Sequence, residues 1–359
     1  MMEVTFHNRE QEIKEVMDIL SMKPRLITFV YGPINSGKTT LINHLIEQLP
    51  DEYVPFYVNL RGRFITGYED FLNVLFEIDE GDVIDNVGEY AQSLLKDLKI
   101  LGGIPIPLNL FEQIFEKKDK SKDMFKYIER FFGEMSKKRV PVLIIDELQV
   151  IGDLKIDGLL IYKLFNFFVR LTKELHLAHV FVVTSDSLFL EQVYSEAMLS
   201  GRCDYLLVAD FDYGQTMDFL DGYGWGEHEK EIAWHYVGGK PVSLVKLVNA
   251  KVSGKKIEDV AGRMLTLRTG EIKRILKRVK ELGGEIRIDD KSYAVRYSGL
   301  VDALKHFVIQ NEIDVEDVDE ISTAFLVGKN VLFVNPVRGI IKPQSMLDLS
   351  AIREVMRDA

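Results

Sequence analysis

The sequence predicts an α/β chain built on a parallel sheet, with a helical lid and a C-terminal domain of different character. Three observations carry this. Short apolar, β-branched runs at 25–30, 53–60, 140–146, 178–184 and 203–208 alternate with helical patterns, as buried parallel strands and their crossover helices do. The first run enters Gly32-Pro33-Ile34-Asn35-Ser36-Gly37-Lys38-Thr39-Thr40, and apolar residues at helical spacing follow. Beyond residue 255 the charge pattern and the spacing of apolar residues both change.

Composition sets the outer limits. The 359 residues allow two or three domains, and 47% apolar with 28% charged content describes a globular protein. No run approaches the roughly 18 apolar residues of a membrane helix, and residues 1–7 lack a signal-peptide pattern, so a cytoplasmic protein without a membrane partner is expected. The single cysteine, Cys203, excludes an internal disulfide. His176 and His179 have ligand-like spacing but read as surface polar groups at a strand start. A net charge of −11 argues against a chain that coats nucleic acid with its whole surface and leaves room for a local basic face.

In chain order, Asn8 is a candidate N-cap for a helix bearing Ile13, Val16, Met17 and Leu20 on one stripe. The Gly-x-x-x-x-Gly-Lys-Thr pattern from Gly32 to Thr39 follows a strand and opens a helix, the context a phosphate-binding loop requires. There the backbone N–H groups would cradle phosphates, Lys38 would reach the β- and γ-phosphates, and the Thr39 hydroxyl would ligate Mg²⁺. Residues 68–98 read as helical, and 99–110, broken by Gly and Pro, as a hairpin or ordered loop. Helix 121–138 turns Met124, Phe125, Ile128, Phe131, Phe132 and Met135 toward a core.

Next, Leu143-Ile144-Ile145 ends in Asp146-Glu147, the Walker B arrangement, with Asp146 near the metal and Glu147 able to polarise a water. A helix over 157–175 leads to a strand ending in Thr184-Ser185-Asp186. In the additional-strand class of P-loop ATPases a polar residue here senses the γ-phosphate; Thr184 is the candidate, Ser185 the alternative, and Ser185 or Asp186 serves equally as a helix N-cap. Arg202, just before the last strand, is a charge that could face phosphates or lie in solvent. Residues 213–236, with Trp225 and Trp234, form a small helical unit closed by Gly238-Gly239-Lys240-Pro241. Between Arg263 and Arg296 ten Lys and Arg stand against five acids, and helix 271–282 turns Ile272, Ile275, Leu276, Val279 and Leu282 inward. Six acids follow in 312–320, then a hairpin through Asn335-Pro336-Val337-Arg338-Gly339 and a closing helix at 348–357. Helices followed by a hairpin suit a winged-helix-like domain whose basic helix could contact DNA.

Phe6-His7-Asn8-Arg9-Glu10, the P-loop, Ile144-Ile145-Asp146-Glu147, Gly201-Arg202 and Gly238-Gly239-Lys240-Pro241 together resemble the archaeal ATPase family, grouped with the STAND class of AAA+-related NTPases. The likeness covers roughly 5–250, and it departs from many relatives at Thr184-Ser185. It implies an ATP site with Arg9 and Pro241 near the base, and an Arg202 that senses the γ-phosphate or acts across a subunit interface in a homo-oligomer. The expected organisation is a core at 1–210, a lid at 211–258 and a winged-helix-like domain at 259–359. The expected activity is Mg²⁺-dependent ATP hydrolysis to ADP, coupled to a protein or DNA partner. A nucleotide-gated scaffold and a DNA-dependent motor or loader are the alternatives.

Overall fold

The computed structural model describes residues 6–79, 87–94, 102–115, 120–151, 160–195, 199–288 and 291–357. Its centre is a five-stranded parallel sheet in the order Tyr53–Asn59, Val140–Asp146, His179–Thr184, Ile27–Tyr31, Cys203–Leu207. The strand ending in Thr184 therefore lies between the P-loop strand and the strand ending in Asp146, which is the additional-strand arrangement. Register aligns the carboxyl ends: Tyr31 pairs with Thr184, and Asn59 with Asp146. Ligands of such sheets bind outside that edge.

Alternate residues of each strand supply two cores, as the pleat requires. Phe29, Phe56, Leu143, Ile145 and Val182 join one buried cluster with Phe131, Phe132, Phe165 and Phe168. Val30, Ile144, Phe181 and Val183 join the other, with Val16, Leu20, Leu41 and Leu45 from helices Glu10–Ser21 and Lys38–Gln48. Phe56 sits 5.8 Å from Phe131 and 5.1 Å from Phe132, centroid to centroid.

Several expectations are corrected. Asn8 does not cap the first helix; Arg9 occupies the N-cap position without a side-chain cap. The segment 68–98 is not one helix. Helix Tyr68–Leu75 gives way to strand Phe76–Asp79, and helix Val87–Leu94 comes later. The Gly/Pro-rich insert is not a hairpin: Ile104–Pro107 pairs in parallel with Phe76–Asp79, a long-range pairing that local turn signals cannot reveal. Residues 80–86, 95–98, 99–101 and 157–159 of the expected elements lie outside the described residues. His179 is buried at the start of its strand, and burial lowers its pKa to about 4.

Helices Tyr213–Asp221, Glu227–Val237 and Pro241–Val252 form the lid around Leu220, Trp225, Val237, Leu244 and Leu247. Asp212 caps the first, accepting from the Gln215 N–H at 2.8 Å. A 26-residue helix, Ile257–Leu282, then joins two cores: Ile257 and Ala261 pack in the lid, while Ile272, Leu276 and Val279 pack in the C-terminal domain. Leu282, expected inward, is 80% exposed because the helix has by then outrun that core. The C-terminal domain adds an antiparallel hairpin, Gly284–Ile288 with Lys291–Val295, and a three-stranded sheet ordered Ile313–Asp314, Ile340–Pro343, Leu332–Asn335. Helices Tyr297–Lys305, Glu320–Gly328 and Met346–Arg357 complete it. Buried Asp348 ties that last helix to the long one through Arg268 Nε at 2.6 Å. Among the described residues no helix is long and apolar enough to cross a membrane.

Two substitutions test this packing by denaturant unfolding. Phe56→Ala should cost about 3–5 kcal/mol by opening the aromatic cluster. Gly239→Ala places a Cβ 1.8 Å from the Phe211 carbonyl oxygen, a main-chain clash, so it should destabilise the lid by at least about 1–3 kcal/mol.

Candidate nucleotide site

The P-loop turns sharply after Tyr31. Gly37, the N-cap of helix Lys38–Gln48, adopts φ 95°, a left-handed conformation that suits glycine and starts the helix with its N–H groups free. Lys38 is 6% exposed and folds back onto the loop, donating to the carbonyls of Gly32 at 3.0 Å and Pro33 at 2.8 Å. Burial, and then the neighbouring Lys240 ammonium, lower its pKa to about 8. This is a cation held in a place built for an anion.

Across the sheet edge, Thr39 Oγ1 donates to Asp146 Oδ2 at 3.0 Å, and the Tyr57 hydroxyl donates to the same oxygen at 2.9 Å. Asp146 Oδ1 is buried and accepts no hydrogen bond among the described residues. Burial pushes the Asp146 carboxyl above its ordinary range. A buried, orphaned carboxylate oxygen beside a threonine hydroxyl is a hard-oxygen donor set of the kind Mg²⁺ takes.

Glu147 occupies a left-handed backbone position, φ 64°, which costs a non-glycine residue about 1 kcal/mol or more. Its carboxylate is held on three sides. Arg61 pairs with Oε1, Ser185 Oγ donates to Oε1 at 3.2 Å, and Gln149 Nε2 donates to Oε2 at 2.5 Å. Thr184 Oγ1 donates to Gln149 Oε1 at 3.0 Å, so Gln149 bridges the strand-end threonine and the acid. Asp186 is the helix cap here, accepting from the N–H groups of Leu188 and Phe189.

The structure also gathers residues from outside the core. Arg9 donates to the carbonyls of Ser36 at 2.7 Å and Ala209 at 2.9 Å and lies 4.7 Å over the Phe211 ring. Pro241 opens helix Pro241–Val252, directly after Lys240, whose Nζ donates to the Ile34 carbonyl at 2.9 Å. Asn35 and Thr40 are exposed, while Ser36 is fully buried. Arg202 is the exception. Its carbonyl receives the Ile27 N–H at the amino end of the parallel sheet, opposite the P-loop. The cis reading of Arg202 as a phosphate contact is therefore corrected: five residues of strand separate it from that edge.

Residues that sequence reasoning missed come from the core, as Tyr57 and Gln149 do, and from the C-terminal domain. Gln344 Oε1 accepts the Ile34 N–H at 3.1 Å, and Asn335 Oδ1 accepts the Tyr31 hydroxyl at 3.0 Å. A cavity of about 180 Å³ opens at this joint, lined by Ile34, Ser185, Ser187, Val327 and Gln344. No local pattern marks these contacts. Arg61 is placed by sequence only as the residue that follows the second apolar run.

Lys38 gives a pH test on the nucleotide-free chain. Its folded pKa of about 8 lies below the 10.5 of an exposed lysine, so the unfolded chain binds the extra proton between those values. Stability therefore rises with pH across that window. Lys38→Met should be more stable than wild type by up to roughly 3 kcal/mol at pH 7, with the gap closing by about pH 10.5. A pH-independent gap would contradict the buried-ammonium account.

Comparison with known proteins gives the following likenesses. Residues 6–247 match the ATPase domain found predominantly in Archaea, and 258–356 match the C-terminal domain of MJ1010-like ATP-binding proteins. An uncharacterized ATP-binding protein of Methanocaldococcus jannaschii is 44% identical over 362 residues, covering 98% of this chain and 97% of its own. Another, from Pyrococcus abyssi, is 42% identical over 353 residues, covering 98% and 99%. The solved Walker-type ATPase of Pyrococcus abyssi shares the fold at TM-score 0.63 and 16% identity, covering 97% of this chain and 96% of its own. The chain belongs to the family of ATPase domains found predominantly in Archaea.

Proposed function

We propose that this chain binds ATP with Mg²⁺ and hydrolyses it to ADP and phosphate, using the cycle as a conformational switch on a partner. The observation that carries the reading is the convergence of Lys38, Thr39, Asp146 and Glu147 at one edge of the parallel sheet. Thr39 and the Asp146 oxygen that accepts no hydrogen bond among the described residues would hold the metal, which would neutralise charge on the phosphates. Lys38 would leave the Gly32 and Pro33 carbonyls for the phosphates. Arg9 and Pro241 flank the side of the loop where the base would lie.

Glu147 is the candidate group for orienting the attacking water and taking its proton. Held by Arg61, Ser185 and Gln149, it must turn out of these contacts to do so. That locked position favours a second reading, a nucleotide-gated switch with slow turnover. Arg61 is 58% exposed, so an incoming partner could reach it. Arg202 would serve only a neighbouring subunit, in a homo-oligomer. The helices and strand pair after 257 suit a winged-helix-like domain, and Lys273, Arg274, Lys277, Arg278 and Lys280 are exposed on its long helix, where DNA or an acidic protein could bind.

ATPase assays separate these readings. Glu147→Gln should lower kcat by about 10²-fold or more while ATP still binds; unchanged turnover would remove Glu147 from the chemistry. Arg61→Ala should raise kcat if the ion pair restrains Glu147, and should lower it if Arg61 positions the acid for attack.

A further inference from the structure

Lys38 is one of three lysines brought to the P-loop from three parts of the chain. Lys240, from the lid, donates to the Ile34 carbonyl at 2.9 Å and lies 3.0 Å from Asp210 Oδ1. That approach lacks hydrogen-bond alignment, so the buried Asp210 oxygen accepts no hydrogen bond. Lys342, the third, lies on strand Ile340–Pro343 of the C-terminal domain.

Strand register shows what Lys342 faces. Residues two apart on a strand share a face. Lys342 pairs with Phe333, Asn335 follows Phe333 by two, and Gln344 follows Lys342 by two. Each of these neighbours is turned to the core. Phe333 is buried in the main aromatic cluster, Asn335 receives the Tyr31 hydroxyl, and Gln344 receives the Ile34 N–H. Lys342 is thus bracketed by contacts to Tyr31 and Ile34, the two ends of the turn that enters the P-loop. Its ammonium lies 5.8 Å over the Phe333 ring and has no hydrogen bond or ion pair among the described residues. Burial lowers its pKa, Asp210 opposes that shift, and Lys240 adds to it, so the two lysines feel one another.

Lys38 and Lys342 each feel both Lys240 and Asp210, and Lys342 also has Glu312 and Arg338 near it. Asp146 and Glu147 also act on Lys38, but their hydrogen bonds and ion pair go to Thr39, Tyr57 and Arg61. Such a lysine-rich cluster is costly when empty and suits a polyanion when filled. We propose that Lys240 and Lys342 complete, with Lys38, a cationic cradle for the terminal phosphate of a nucleoside triphosphate, so that the C-terminal domain contacts the γ-phosphate within the same chain. This rests on the ATP-binding reading above. A diphosphate would leave Lys342 without its anion.

The test measures ATP and ADP affinities of the full chain with Mg²⁺, using fluorescent ribose-labelled nucleotides. Lys342→Gln should weaken ATP binding by about tenfold or more, the usual size of a lost charged hydrogen bond. ADP affinity should stay within about twofold, and Lys342→Arg should recover most of the loss. In wild type, ATP but not ADP should slow backbone hydrogen exchange over 332–343, and added salt should erode the preference for ATP. Equal losses for ATP and ADP, no loss for either, or exchange that ignores the γ-phosphate would overturn the cradle. If Lys342→Gln does not fold, the wild-type exchange and salt measurements decide alone. A wild-type chain that binds neither nucleotide would instead overturn the ATP-binding reading itself.

Discussion

One residue of the P-loop, Ile34, is where the three parts of this molecule meet. Its N–H goes to Gln344 of the C-terminal domain and its carbonyl to Lys240 of the lid. The loop itself belongs to the core. Backbone polar groups in a buried turn need partners, and here those partners come from elements some 200 and 310 residues away in sequence. Both other domains thus make hydrogen bonds to the same loop residue.

The same logic accounts for the acid side of the site. Asp146 and Glu147 are adjacent in sequence and have opposite surroundings. Asp146 ends its strand with one oxygen occupied by two hydroxyls and one left bare. Glu147 takes a left-handed turn and is fully engaged by neighbours. The strain of that turn is retained because it aims two successive carboxylates to different places. Gln149 then links Glu147 to Thr184, so the acid and the strand-end threonine cannot shift independently.

The long helix Ile257–Leu282 gives this arrangement mechanical reach. Its first turns are part of the lid core and its later turns part of the C-terminal core. Arg268, near its middle, binds Asp348 and the Asn330 carbonyl, just before the strand that carries Asn335. A continuous helix anchored in two cores transmits rotation better than a loop would, since bending it breaks main-chain hydrogen bonds.

Sequence alone determined the sheet, its strands and the acid and P-loop residues. Those signals are local: apolar runs of strand length, glycine spacing, and acids directly after a buried strand. It also marked Arg9 and the Gly238–Pro241 turn, through resemblance to a family, without showing what they touch. Tertiary structure alone decided the rest. The parallel pairing of Ile104–Pro107 with Phe76–Asp79 depends on partners about 28 residues apart. The end of the sheet on which Arg202 lies follows from strand direction. The roles of Gln344, Asn335 and Lys342 follow from which face of a distant hairpin docks on the P-loop. Side chains on a hairpin look alike in sequence whether they meet solvent or another domain, and only the docked face tells them apart.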